Sequence, residues 1–164
     1  DQNDFVIDSP MSTRNNEDFS KIIGWLTGIL ISRIKIDNEV SFKDLLFSSK
    51  NDIIEAMEHI YYQFFISQLN IEWDELISAQ LNLINDISTA EGEIVDFKPY
   101  HYKVGHVSSD INFNVKVFEN GITINCSYKN NVIDKSEISD LCEKFVMVLK
   151  NAISSSSIKM KYWR

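Results

Sequence analysis

IIGWLTGILISRI, residues 22–34, is the longest apolar run in the chain, and only glycine, threonine and serine interrupt it before Arg33. Its reading decides the fold, because a membrane helix, a buried helix and a core strand would each build a different molecule. A bilayer-crossing helix needs about 20 apolar residues. The run is shorter than that and is bracketed by Lys21 and Lys35. Gly24, Gly28 and the β-branched isoleucines and threonine lower its helix propensity. Residues 27–36 therefore read as a core strand, and their apolar continuity predicts helices packed on both faces.

Working outward, DFVID (4–8) reads as a strand that ends in a polar turn, SPMSTRNNED (9–18), with Pro10 as the breaker. Downstream, Phe42, Leu45, Leu46, Ile53, Met57 and Ile60 recur at helical spacing, so Ser41 to Tyr61 is a helix with Ser41 as N-cap and Asp44 as its capping-box partner. A second helical piece is expected over Tyr62 to Leu69. AQLNLIND (79–86) alternates like a strand, and another strand is expected around 94–103. Ile111, Phe113, Val115 and Val117, then Ile122, Ile124, Cys126 and Tyr128, alternate with polar residues on either side of Glu119-Asn120-Gly121. That is a hairpin signal, with Asn120-Gly121 supplying positive φ for a type I′ turn. The last helix is expected from about Lys135 to Ile153, with Asp134 as N-cap and Glu137 as its partner. SSSS (154–157) ends it and opens a linker or tail over 154–164. The whole reads as α/β, a mixed β-sheet with packed helices.

Composition narrows the function classes. The chain has 164 residues, 44% hydrophobic and 24% charged, with a net charge of −8, which is ordinary for one globular core. The acidic balance argues against a nucleic-acid partner, since phosphate contacts need clustered Lys and Arg. No membrane partner is expected, and the location expected is cytoplasmic. Cys126 and Cys142 form neither a CxxC pair nor a disulfide framework. Asp1 lies almost directly before a strand-like stretch, which suggests a piece of something longer.

No catalytic constellation emerges from the residues. His101 and His106 point to opposite faces of a regular strand. EAMEH (55–59) has Glu55 where an inverzincin motif needs its first His. GxSxG, P-loop and GxGxxG patterns are absent. The cysteines sit on or beside apolar stripes and read as core thiols. YYQFF (61–65) fits core packing better than an acyl pocket.

Taken in order, however, the segments resemble the condensation domains of nonribosomal peptide synthetases. DFVIDSPMSTRN followed by IIGWLTGILISRI is similar to the family's VVxGxPxxGRN strand and IGxFxNTLxLR run, agreeing at Pro10, Arg14, Asn15, Ile23, Gly24, Leu30 and Arg33. SFKDLLFSSKNDIIEAMEH resembles the helix that follows. AQLNLIND resembles an FxVxFNxQN strand, with Asn82 on the FN asparagine. Residues 109–153 resemble the closing segment, with Asp110, Tyr128, Asp134 and Ile138 in register.

The resemblance implies a chloramphenicol-acetyltransferase-like fold made of two halves around a tunnel, into which carrier-bound thioesters enter on phosphopantetheine arms. Residues 1–153 would be the C-terminal half, its start truncated. The catalytic HHxxxDG belongs to the N-terminal half and does not occur here, so the chain would not be catalytic alone. Its partners would be that N-terminal subdomain, peptidyl or acyl carrier proteins and an adenylation domain. It would wall the tunnel in which a carrier-bound amine attacks a thioester to form an amide. Arg14, Trp25, Thr27, Gly28 and Asn82 are expected nearest that tunnel. No metal site and no directly bound cofactor are expected.

This sequence also departs from the family pattern. Asn-Thr of FxNT is Gly28-Ile29, Thr13 precedes Arg14 in place of glycine, Asp8 replaces a small residue, and LPFE is missing from YYQFFISQLN. GWLT resembles the GWFT of epimerization domains, which leaves an epimerization-type domain open. A catalytically degenerate scaffold of the same fold, or a relative using a soluble acyl donor, also stays open.

Overall fold

A computed structural model describes residues 3–14, 16–62, 68, 77–85, 107, 109–118 and 120–162. The elements in chain order are β1 (Asp4–Ser12), α1 (Glu17–Ser20), β2 (Thr27–Lys35), α2 (Phe42–Glu58), a 3-10 turn (Ile60–Tyr62), β3 (Ala79–Asn85), β4 (Ile111–Phe118), β5 (Gly121–Tyr128), α3 (Lys135–Ser155) and a second 3-10 turn (Met160–Tyr162). The strands form one mixed sheet in the order β2-β1-β3-β4-β5. β1 and β2 are antiparallel, β1, β3 and β4 run parallel, and β4–β5 is an antiparallel hairpin. The α/β class is as expected. The strand expected around 94–103 and the helical piece after Tyr62 lie outside the described residues.

The decisive run becomes a strand from Thr27 onward, at one end of the sheet formed by the described residues, and only one of its faces is buried. Gly28, Leu30 and Ser32 are buried, whereas Ile29 and Ile31 between them are partly open and Arg33 is exposed. The expectation of helices on both faces is therefore corrected. An unbroken apolar run reads as doubly covered, yet the second face here is only half closed. The first half, Ile22 to Trp25, is a loop, with Ile23 and Trp25 almost fully exposed.

β1 also differs, running through Pro10 to Ser12 rather than stopping at a turn. Thr13 N–H donates to Leu26 O, and Asn3 O accepts from Ile36 N–H, so the backbone polar groups of odd-numbered residues face β2. Pro10 is even-numbered, and its nitrogen faces the other side, beyond the last pairing with β3 at Asp8–Gln80. A proline at a position with no ladder donor to lose is tolerated. The β4–β5 turn is shifted as well. Phe118 pairs with Gly121, so Gly121 already belongs to β5, and it has no left-handed φ. Asn120-Gly121 is not the central pair of the turn.

Alternation sorts the sheet into two faces. On one lie Gly28, Leu30, Leu81, Ile111, Phe113, Val115, Ile124 and Cys126, and helices cover it. Phe113 stacks on Phe145 of α3, with centroids 5.3 Å apart, a contact worth about 0.5–1.5 kcal/mol beyond area burial. The Cys126 thiol is raised to about 11, first by burial and then by Cys142 of α3, as befits a core thiol and not a nucleophile. α2 opens with the expected capping box between Ser41 and Asp44. At α3, Glu137 accepts from the Asp134 N–H at 3.1 Å. α3 continues to Ser155, and residues 156–162 then fold back on the chain. Lys43 N–H donates to Ser156 O, Met160 N–H to Val40 O and Lys161 N–H to Asn38 O. Glu39 takes both Lys159, at 3.1 Å, and Lys161, at 2.8 Å. The stretch read as linker or tail thus lies against residues 38–43 as far as Tyr162.

Candidate functional site

The opposite face of the sheet carries amides where the first carries hydrocarbon. INFNVKV in β4 and AQLNL in β3 place Asn112, Asn114, Gln80 and Asn82 on it, because every second residue of a strand shares a face. The parallel register sets Gln80 beside Asn112 and Asn82 beside Asn114, and β1 adds Asp8 beside Gln80. A continuous hydrogen-bonded row results. Asn82 Nδ2 donates to Asn114 Oδ1 at 3.1 Å, Asn114 Nδ2 to Asn112 Oδ1 at 2.8 Å, Asn112 Nδ2 to Gln80 Oε1, and Gln80 Nε2 to Asp8 Oδ2 at 3.0 Å. The four amide side chains are partly open. Asp8 is 1% exposed.

Burial pushes the Asp8 carboxyl above the ordinary carboxylate range, and the hydrogen bond from Gln80 opposes this. Its Oδ1 is buried with no hydrogen-bond partner among the described residues, although its own backbone N–H lies near enough to favour the ionised form. The row is the most polar surface at the centre of the sheet. It offers amide donors and acceptors of the kind that bind other amides. Asn82, expected from the sequence to lie near the tunnel, belongs to this row; Asp8, Gln80, Asn112 and Asn114 were not among the expected site residues. The signal was present in the alternation INFNVKV, whose polar set is made of amides and one lysine where a wet face is usually charged.

Of the other expected site residues, Thr27 lies on this same face toward the β2 edge, beside Ser12. Gly28 lies on the helix-covered face. A Cβ there would meet Ile60 Cγ1 at 2.7 Å, Ile60 Cδ1 at 2.9 Å and Thr13 Cγ2 at 3.1 Å. Trp25, Thr27 and Gly28 meet at a cavity of about 240 Å³, which Thr13, Ile60 and Tyr61 also line. Asn82 and Arg14 do not line it. The Arg14 guanidinium donates to three carbonyls, of Phe19 in α1 at 2.8 Å and of Ile22 and Gly24 in the following loop at 2.5 Å and 2.9 Å. Arg14 thus holds the loop that carries Trp25. A larger cavity, about 660 Å³, runs between β2 and α2 past Ser32, Leu45, Asp52 and His59. Among the described residues no group of His, Cys, Asp and Glu could hold a metal ion, and no helix is long and apolar enough to cross a membrane.

Comparison with known proteins places this architecture. The family model "Condensation domain" matches residues 1–162, and the chain belongs to that family. It is 23% identical over 166 aligned residues to tyrocidine synthase 3 of Brevibacillus parabrevis, covering 97% of this chain and 3% of that protein. It is 24% identical to gramicidin S synthase 2 of Aneurinibacillus migulanus, covering 97% of this chain and 4% of that protein. The chain therefore spans a few per cent of the length of these relatives. Among solved structures it superposes on the condensation domain of the monacolin K polyketide synthase MokA with a TM-score of 0.81 at 16% identity, covering 97% of this chain and 39% of that one. A four-domain nonribosomal peptide synthetase bound to AMP and glycine gives a TM-score of 0.80 at 12% identity, covering 98% of this chain and 14% of that one. The fold is that of condensation domains.

Proposed function

We propose that this chain is the C-terminal subdomain of a nonribosomal peptide synthetase condensation domain, and that the amide row with the Trp25–Thr27 cavity walls the tunnel where amide bonds form. The observation that carries the reading is the family match over residues 1–162, with a fold that accounts for 39% of a condensation-domain chain. HHxxxDG does not occur in this chain, so the N-terminal subdomain supplies the catalytic histidine. In the assembled domain, a carrier-bound amine attacks a carrier-bound acyl or peptidyl thioester, and the carrier thiol leaves. This chain's share is to hold the two reactants in place. Pantetheine arms and peptide substrates are rich in amides, which a row of carboxamides can hydrogen-bond. The partners are carrier proteins bearing phosphopantetheine, and the adenylation domain that loads them.

The test is an amide-forming assay on the full-length synthetase with loaded donor and acceptor carriers, followed by mass spectrometry. A product lost on replacing the second His of HHxxxDG, and reduced by Asn82→Ala, is expected. No amide product from an enzyme with intact HHxxxDG and both carriers loaded would overturn the reading. A second reading, a degenerate scaffold of the same fold, is favoured by Gly28-Ile29 in place of the family's Asn-Thr. The assay separates the two, because a scaffold yields no amide product.

A further inference from the structure

The amide row has a direction, and Asp8 sets it. An ionised carboxylate only accepts hydrogen bonds. Gln80 must therefore turn its NH2 toward Asp8, and this leaves its oxygen facing Asn112. Each later link repeats the choice, so Asn112, Asn114 and Asn82 all donate toward Asp8 and accept from the far side. Asn82 ends the row. One of its two N–H groups goes to Asn114, and its oxygen has no partner among the described residues. A carboxamide that donates through its nitrogen is a better acceptor at its oxygen, and chained hydrogen bonds reinforce one another. With a neutral amide at position 8 the row would have no preferred direction, because every link can be reversed by turning its carboxamide over. A small residue, as the family pattern has there, would anchor nothing.

We propose that Asp8 is a positioning residue: by accepting from Gln80 it orients the whole row, so that Asn82 presents its carboxamide oxygen to an N–H of the amine-bearing substrate or its pantetheine arm. The inference deepens the proposed function and rests on it. It involves no covalent step. Asp8 is the buried end of the row and acts through Asn82, four hydrogen bonds away along the path.

A double-mutant cycle on the full-length synthetase tests this, with steady-state kinetics on the carrier-bound amine substrate. Asp8→Asn keeps the volume and removes the direction. It raises KM for that substrate about 3- to 10-fold with kcat changed less than about 2-fold, the loss of one uniform-binding hydrogen bond. Asn82→Ala does the same, and Asp8→Asn added to Asn82→Ala changes KM by less than about 2-fold, because coupled residues are not additive. Asp8→Ser, which returns a small side chain, behaves as Asp8→Asn and guards against a folding defect, which thermal melting registers separately. Equal effects of Asp8→Asn in both backgrounds would overturn the inference, since a merely structural carboxylate acts without Asn82. So would an unchanged KM in Asp8→Asn alongside a raised KM in Asn82→Ala, and in that case the proposed tunnel face stands. If Asn82→Ala itself alters neither KM nor kcat, both the tunnel placement of this face and the inference fall.

Discussion

Gly28 and Asp8 occupy neighbouring strands on opposite faces of the sheet and show how differently single residues are constrained. Gly28 is a close-approach glycine, for the Cβ of any other residue would press into Ile60. Gly28→Ala is expected to destabilise by about 1–3 kcal/mol, the usual cost of overpacking. Adding Ile60→Ala, which empties the clashing volume, should restore part of that loss, and denaturant unfolding of the single and double variants checks the coupling. Exchange of Gly28 for the family's asparagine would meet the same wall, so its effect on turnover would mix packing with chemistry. Asp8 is constrained by solvation. Its folded pKa is raised, so the native state holds the proton more tightly than the unfolded chain. Its favourable contribution is thus present below the unfolded carboxylate value and is lost as pH rises through the raised folded one. Asp8→Asn is expected to raise the melting temperature at pH 7 relative to the parent, with the gap closing as pH falls toward 4. A gap of the same size at both pH values would contradict this.

Elements follow local chemistry where their ends are capped and depart from it where neighbours intervene. Ser41 accepts from the Asp44 N–H while Asp44 reaches back to Ser41, so α2 starts where its sequence says. Ser41→Ala should cost about 1 kcal/mol, read as a shifted urea midpoint with an unchanged slope. The hydrogen bonds from Ser41 hold the Asp44 carboxyl below its ordinary range. The stabilisation is accordingly present above the unfolded carboxylate value and fades as pH falls through the lowered one. β1 passes through Pro10 because β3 has stopped pairing there, a fact about the neighbouring strand that no propensity contains. The β4–β5 hairpin was legible from alternation alone, but its turn was off by one residue. Pairing of Phe118 with Gly121 fixed the register, and cross-strand packing outweighed the Asn-Gly preference.

Across the molecule, covered and uncovered surfaces divide unevenly. One face of the sheet is closed by α2 and α3, while α2 leaves Leu46, Phe47, Ile54 and Met57 well exposed, and Ile22, Ile23 and Trp25 in the loop before β2 are exposed as well. Contiguous apolar exposure of this kind marks surfaces that meet other protein, in keeping with a chain that accounts for 39% of the condensation-domain structure it matches. The C-terminal segment is fastened at long range, and Glu39 is its clasp. Lys161 and Lys159 hold the Glu39 carboxyl below its ordinary range, so the clasp is present above the unfolded carboxylate value and opens as pH falls through the lowered one. Glu39→Gln should speed tryptic cleavage after Lys159 and Lys161 at pH 7.5, and high salt should have the same effect on the parent because exposed ion pairs are screened. Equal cleavage rates for variant and parent would show that the backbone bonds from Lys43, Met160 and Lys161 hold the segment without it.

Periodicity, capping residues and the order of short motifs were enough to determine the α/β class, five of the strands and helices to within a residue or two, and the resemblance to condensation domains. These signals are local: a side chain's face follows from its parity or its helical phase, and a cap acts within one turn. What only the tertiary structure decided was which strand lies beside which. That neighbourhood set β2 against β1 at one end of the described sheet, let β1 run through a proline, wedged Gly28 against Ile60 and committed Arg14 to its own loop. It also joined Asp8, Gln80, Asn112, Asn114 and Asn82 into one row, from three segments as much as 106 residues apart in sequence. Parity places each amide on a face, but the parallel register that aligns β1, β3 and β4 is set by long-range packing on the helices, and it appears nowhere in the spacing of the residues themselves.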